Sequence, residues 1–288
     1  MKYSVDKDKL LNYEVPSKIR VWMSGLFLFL LARVATRIGG LMVRKSDSAR
    51  KVKERATTAV ALEIIYNYNA DTLKISDGFL NYLLSRFWFN INNARAVRNR
   101  LLLTKNKLGE FIQENRFGKI RVASLGSGSA RAIIETVAEM EKYADFIIDL
   151  VDSSDEALRL SRDLVIKSKI KSSVYWHHLR LEDFLSSQEV NSFDIIEMVG
   201  ILDYLSDARA HDVFEAIHKV LKPTGLFITA NIGNNLEKVF VDKVMRWSMV
   251  YRTPKDLFRI LETTSFNNDR SEVISEPIKI HHLLIARK

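Results

Sequence analysis

The sequence predicts an α/β protein: a mostly parallel, seven-stranded sheet covered by helices on both faces, with an antiparallel edge hairpin and an N-terminal helical extension. Three observations predict it. From residue 119 onward, short apolar runs alternate with stretches of helical periodicity, the rhythm of strand–helix–strand units. The first run ends in a Gly/Ser turn, LGSGS at 125–129, and passes directly into a helical pattern. The last two runs are joined tightly at Pro277, which favours a hairpin at the sheet edge.

Taken in order, residues 1–17 are polar and aperiodic and are closed by Pro16. Residues 21–32 are almost wholly apolar, but a bilayer-spanning helix needs about 20 residues, and Arg33 and Arg37 interrupt the run. The stretch lies late for a cleaved signal and shows no small-residue cleavage pattern. Two readings are open. The run forms a helix packed against the main domain as part of a lid. Or it lies in a membrane interface, with Trp22, Phe27 and Phe29 in lipid and Arg33, Arg37, Arg44 and Lys45 among anionic headgroups, so that residues 18–55 meet a membrane surface. Helical spacing follows at 56–68, 77–91 and 94–112, with Asp77 and Asn93 as expected N-caps and Gly118 as the stop. The expected division is therefore a helical, basic lid or substrate region at 1–117 and a sheet domain at 118–288.

Within the sheet domain the strands are KIRVASL, DFIIDLV, SSVYWHHL, FDIIEMV, GLFITANI, SEVISEP and IKIHHLLIARK. Helical patterns separate them at 129–143, 154–168, 207–222, 235–249 and 253–263, with a short turn at 182–187. At 47% hydrophobic the chain can bury a large core. It has no cysteine, which excludes disulfides, thiolate metal sites and a Cys nucleophile and fits a reducing cytoplasm. The charge is divided: residues 1–120 carry 22 Lys+Arg against 10 Asp+Glu, and residues 121–288 carry 22 against 25. The basic excess lies entirely ahead of the glycine turn and suggests an anionic surface or substrate.

In open α/β sheets, ligands bind beyond the carboxyl ends of the strands. Gly126, Ser127 and Gly128 stand at such an end, where glycine lets the backbone approach a ligand and the next helix offers free N–H groups. Asp152, with Ser153 beside it, ends the next strand 24 residues after Gly128, where an acid accepts both hydroxyls of a ribose. The alternative role, an N-cap, could be met by Ser153, Ser154 or Asp155 instead.

The segments VASLGSGSA, LVDSSDEAL, FDIIEMVGILDYLSD and VLKPTGLFITANI together resemble the class I S-adenosylmethionine-dependent methyltransferases over residues 119–288. The resemblance implies a Rossmann-like methyltransferase fold, S-adenosyl-L-methionine as cofactor and S-adenosyl-L-homocysteine as product. It departs from the family at Ser124, where an acid is usual, and at Ala130, where a third glycine is usual. It implies adenine contacts from Glu182 or Asp183, although the family's acidic position falls on Arg180. Over residues 90–288, NARAVRNRL, EMVGILDYLSD and VMRWSMVYRTP are similar to a bacterial subgroup labelled as makers of hydroxy-fatty-acid methyl esters. That label implies a lipid-like carboxylic acid as acceptor and favours O-methylation.

Methyl transfer is an in-line displacement that depends on holding donor and acceptor aligned. The fourth strand of the sheet domain delivers Glu197, Gly200, Asp203 and Tyr204 towards the cofactor, with Asp203 and Tyr204 the candidate catalytic pair. Arg98 and Arg100 are candidates for an anionic acceptor, and Trp247, Tyr251 and Arg252 for the acceptor pocket. The histidine pairs 177–178 and 281–282 sit in strands, so one of each should be packed and the other exposed, and their spacing predicts no metal site. Two other functions are compatible with the sequence: a nucleic-acid methyltransferase gripping through the basic extension, although no RNA-binding module or NPPY-type motif is present, and a catalytically silent partner subunit. The oligomeric state is not encoded in any motif.

Overall fold

A computed structural model describes residues 2–34, 36–69, 73–74, 76, 78–115 and 118–288; the side chains at 34, 36–39, 267 and 268 are excluded. The expected cap at Asp77 and the side chain of Arg37 therefore lie outside the described residues. The chain runs β1 (Lys2–Val5), α1 (Lys18–Val34), α2 (Thr36–Lys45), α3 (Asp47–Glu54), α4 (Ala59–Tyr66), α5 (Phe79–Phe89), α6 (Asn92–Glu114), β2 (Lys119–Leu125), α7 (Arg131–Met140), β3 (Asp145–Asp152), α8 (Asp155–Ser168), β4 (Ser173–His178), α9 (Leu181–Ser186), β5 (Phe193–Val199), α10 (Asp207–Val220), β6 (Leu221–Ile232), α11 (Lys238–Lys243), α12 (Pro254–Glu262), β7 (Asn267–Ser275) and β8 (His281–Arg287).

The strand order is β1-β7-β8-β6-β5-β2-β3-β4. β8 inserts antiparallel between β6 and β7, and the β2–β6 strands are mutually parallel. All seven expected strands are present, and an eighth was missed: Lys2–Val5 pairs in parallel with Glu272–Ser275. Four residues, two exposed and two half-buried, carry too little alternation to register as a strand; the partner edge, not propensity, organises them. Residues 2–5 thus belong to the sheet rather than to a purely helical extension.

Strand reversal between β2 and β5 places the ends of both beside the same crevice, because β2 is flanked by β3 on one side and β5 on the other. Two apolar layers sandwich the sheet. One is built around Phe193, Phe214 and Phe227, the other around Ile134, Phe146 and Ile148, all essentially inaccessible to water. A third cluster, with Leu28, Val52, Ala61, Trp88, Phe240 and Met245, joins the N-terminal helices to the segment after β6. Burying each such side chain stabilises by about 1.5–3 kcal/mol, so the N-terminal helices are fixed over the strand ends by apolar packing.

Asn93 is not a cap. α6 begins one residue earlier with Ile91 in the cap position, and the Asn93 backbone N–H and side-chain amide both donate to Glu237. α1 has one packed face and one exposed face. Leu28 and Ala32 are buried, and Gly25 packs so closely on Leu236 that a Cβ would lie 2.8 Å from the Leu236 Cβ. Trp22, Met23, Phe27 and Leu30 on the same helix remain exposed. No helix among the described residues is long and apolar enough to cross a membrane.

Candidate active site

The crevice begins at the turn after β2. Gly126 (φ 60°) and Gly128 (φ 55°) take the left-handed conformation, and a Cβ on Gly126 would lie 2.3 Å from the Ile201 side chain. Glycine is required there on both counts. Ala130, at the position of the missing third glycine, adopts the same conformation (φ 54°) as the cap of α7, at a cost of about 1 kcal/mol. The geometry of the loop is thus kept without the third glycine.

Asp152 ends β3 beside this loop. Its Oδ2 accepts from the Gly128 N–H at 2.9 Å and its Oδ1 from the Ser154 N–H at 2.9 Å. Ser154, not Asp152, caps α8 through the Ala157 N–H. The Asp152 carboxylate is therefore oriented by backbone donors and still has lone pairs for a diol.

A cleft of about 290 Å³ runs along these strand ends. Its walls include Gly126, Ser127, Gly128, Asp152, Ser153, Gly200, Tyr204 and Trp247, all anticipated from sequence. α4 roofs it with Ala59, Leu62 and Tyr66. The roof is tied to the glycine loop by Glu63, which accepts from Ser129 Oγ at 2.6 Å and from Arg131 at 3.0 and 2.5 Å. Burial pushes the Glu63 carboxyl up, but the Arg131 and Ser129 hydrogen bonds outweigh it and hold the pKa below the usual range. Nothing in the ALEIIY periodicity separated this tie from an ordinary surface ion pair.

The groups in the cleft fit S-adenosylmethionine. Ser127 Oγ is buried and has no hydrogen-bond partner. Glu197, at 5% exposure, presents a buried carboxylate to the cleft, the complement of the donor's cationic groups. Ser124 is fully buried beneath the loop and does not line the cleft; its hydroxyl donates to Glu197 Oε2 at 2.5 Å. Glu182 and Asp183 lie outside the lining as well. They start α9, where Glu182 is engaged by Arg209 and faces Arg180. The short turn after β4 closes as a helix and leaves both acids off the cleft wall.

A second, mostly apolar cavity of about 60 Å³ opens next to the cleft. Ile65, Trp88, Ile91, Val97 and Met249 wall it, and it shares Leu62, Gly200, Tyr204 and Trp247 with the cleft. Those shared residues mark where donor and acceptor would meet. Four buried polar residues line the cavity: Asn93, Arg100, Asp203 and His281. Arg100 donates to Tyr66 Oη at 3.1 Å and lies 3.9 Å from Asp203 Oδ2, while its Nε has no partner. Both ring nitrogens of His281 are also buried without a partner. Burial and the nearby Arg100 charge depress the His281 pKa, so the ring is neutral. Asp203 Oδ1 accepts from the Ile232 N–H at 2.7 Å, and burial raises its pKa. Tyr204 accepts from Trp247 Nε1 at 2.6 Å, and burial pushes its phenol up to about 12. It can donate at neutral pH but is a poor base.

Three expected acceptor residues do other work. Arg98 pairs with Glu14 and donates to the Phe89 carbonyl, pinning the N-terminal segment to α6. Tyr251 donates to Asp242. Arg252, 2% exposed, donates to the Leu202 and Leu205 carbonyls, Asn231 and Asp207, and so fixes the loop that carries Asp203 and Tyr204. The expectation for the second histidine pair also fails. His281 and His282 are both buried, because β8 is central in the sheet and covered on both faces; His282 meets Ser275 Oγ at 2.7 Å. In the first pair, His178 is exposed as expected. Among the described residues no group of three His, Asp or Glu is arranged to hold a metal.

Comparison with known proteins agrees with this geometry. Residues 122–225 match the family model described as a methyltransferase domain. No curated protein sequence matches the chain. Among solved structures, the chain resembles a possible exported protein from Bordetella parapertussis, with TM-score 0.73 at 15% identity, covering 95% of this chain and 99% of that one. It also resembles the S-adenosylmethionine-dependent methyltransferase SibL, with TM-score 0.55 at 13% identity, covering 94% and 74%. Magnesium protoporphyrin IX methyltransferase from Synechocystis PCC 6803, crystallised with S-adenosylmethionine, aligns with TM-score 0.51 at 11% identity, covering 68% and 83%. At these identities the likeness is one of fold. The fold and the matched domain define a Rossmann-like methyltransferase.

Proposed function

We propose that the protein methylates an oxygen of a small, lipid-like acceptor, with a carboxylic acid the favoured group. One observation carries the reading: Arg100 Nε and both His281 nitrogens are buried without partners in a mostly apolar cavity beside the cleft. Leaving such a group unsatisfied costs about 1–3 kcal/mol, so a ligand that brings oxygen atoms to them gains that energy on binding. The apolar walls take a hydrocarbon body. A carboxylate accepts from Arg100 and from the protonated nitrogen of neutral His281. It needs no base, since its oxygen is already a nucleophile, and Tyr204 can donate to its second oxygen.

Bound S-adenosylmethionine supplies an electrophilic methyl group. Asp152 orients its ribose, the loop at Gly126–Gly128 lets it approach the backbone, and α4 keeps water out of the junction. The sequence similarity to the hydroxy-fatty-acid methyl ester subgroup supports the same acceptor class. The test is incubation with methyl-labelled donor and a panel of long-chain fatty acids, hydroxy-fatty acids, phenols and RNA. Label in base-labile methyl esters is expected; label in RNA, or none in any acid, overturns the reading.

A second reading concerns α1. Its exposed Trp22, Met23, Phe27 and Leu30, flanked by Arg20 and Arg33, form the apolar-plus-basic surface that an anionic membrane attracts. A peripheral position at a membrane surface would bring the enzyme to a lipid-like acceptor. Co-sedimentation with vesicles containing anionic phospholipid should fall several-fold for the Trp22→Ser/Phe27→Ser variant; equal sedimentation of both proteins removes the membrane role.

A further inference from the structure

The resemblance expects an acid at position 124 and the chain has serine. Ser124 and Glu197 are register partners on the adjacent parallel strands β2 and β5, so their side chains leave the same face of the sheet side by side. The Ser124 hydroxyl donates to Glu197 Oε2 at 2.5 Å, and the Val199 N–H donates to Glu197 Oε1 at 2.9 Å. Each carboxylate oxygen is thereby held by one donor, with further lone pairs left over. The group is oriented before any ligand arrives.

No ion pair to Glu197 is formed among the described residues. Arg100 acts on it only through space. A buried carboxylate without a cation is costly, and burial pushes Glu197 up to about 7. The carboxylate borders the cleft next to Gly126 and Gly200, on the opposite side of the glycine loop from Asp152. With a ribose on Asp152, the remaining cationic part of a donor in this cleft would lie toward Glu197.

Resting on the reading of this cleft as the donor site, we infer that Glu197, oriented by Ser124, holds the α-ammonium group of the methionine moiety. The acid that β2 lacks is supplied from β5, one strand over, and Ser124 is its positioning residue. A primary ammonium brings three donors and a full positive charge, the complement of two partly satisfied carboxylate oxygens.

Two ligands separate this role from a structural one. S-adenosylhomocysteine has the ammonium group; 5′-methylthioadenosine shares the adenosine and thioether but lacks it. Glu197→Gln keeps the shape and an acceptor for the Ser124 hydroxyl. Calorimetry should show S-adenosylhomocysteine affinity falling about 10–100-fold while 5′-methylthioadenosine affinity changes by less than about twofold. Ser124→Ala, which leaves the carboxylate but frees its orientation, should give a smaller loss of about threefold, again confined to S-adenosylhomocysteine. It keeps the test available if the Gln variant does not fold. Equal losses for both ligands, or no loss for either, overturn the inference. Failure of the unmodified protein to bind either ligand would defeat the donor-site reading itself.

Discussion

On the donor side the cleft is made by strand ends and turns: Gly126–Gly128 after β2, Asp152 after β3, Glu197 and Gly200 at the end of β5. The acceptor cavity is made by side chains from elements distant in the chain: Ile65 of α4, Trp88 of α5, Arg100 of α6, Met249 after α11 and His281 of β8. The first is fixed by backbone geometry and a few charged groups. The second is fixed by packing among helices, and its polar atoms wait for partners. Donor recognition should therefore be rigid and sensitive to single atoms, and acceptor recognition tolerant of shape but dependent on Arg100 and His281.

The largest effect should come from Asp152→Ala, which removes the carboxylate proposed to hold the ribose. Loss of two charge-assisted hydrogen bonds is worth about 3 kcal/mol or more, so S-adenosylhomocysteine binding should weaken more than about 100-fold by calorimetry. Retained affinity would mean that the donor sits elsewhere. Next is a pH effect in the ligand-free protein. Glu197 stays protonated in the folded state up to about pH 7, whereas the unfolded group ionises near 4.5. A raised carboxyl pKa stabilises the fold below the unfolded value, and that contribution is lost as pH rises through the window to the folded pKa. The difference amounts to about 3 kcal/mol. Glu197→Gln should flatten this part of the pH dependence of unfolding; identical curves for both proteins would remove the perturbed carboxyl.

On the acceptor side, His281→Leu should cut methyl transfer about 30-fold while leaving S-adenosylhomocysteine affinity within about twofold. A matching loss of donor affinity would show that the two halves are not separable. The smallest effect is expected at the tie between them. Glu63→Gln weakens the contact of α4 with Ser129 and Arg131, which is partly buried and worth about 1 kcal/mol, so donor affinity should fall by about fivefold. The Glu63 carboxyl is held low, so its contribution is present above the unfolded pKa and is lost as pH falls through the folded value. The difference between wild type and variant should therefore vanish in acid.

The donor side was legible because its signals are local. A strand, two glycines, a helix start and an acid at the next strand end all lie within 27 residues, 126–152. Glu182 and Asp183 were read from the same kind of local signal, but in the first turn of α9 neither lines the cleft. The acceptor side was barely legible because its residues converge only in three dimensions. Arg98 and Arg100 share a helix and look equivalent in sequence. Packing alone sends one to Glu14 and the other into the cavity. His281 was hidden by its place in an HH pair: alternation exposes one residue only if one sheet face is open, and β8 has neither face open. Lys2–Val5 escaped notice because an edge strand of four residues is specified by its partner, β7.

Titration of S-adenosylhomocysteine into the unmodified protein tests the account most directly. It predicts saturable one-to-one binding in about the micromolar range, with strongest protection of amides in the 126–131 loop and in α4 when the complex is followed by hydrogen exchange. No saturable binding, or protection that leaves both segments unchanged, would contradict it.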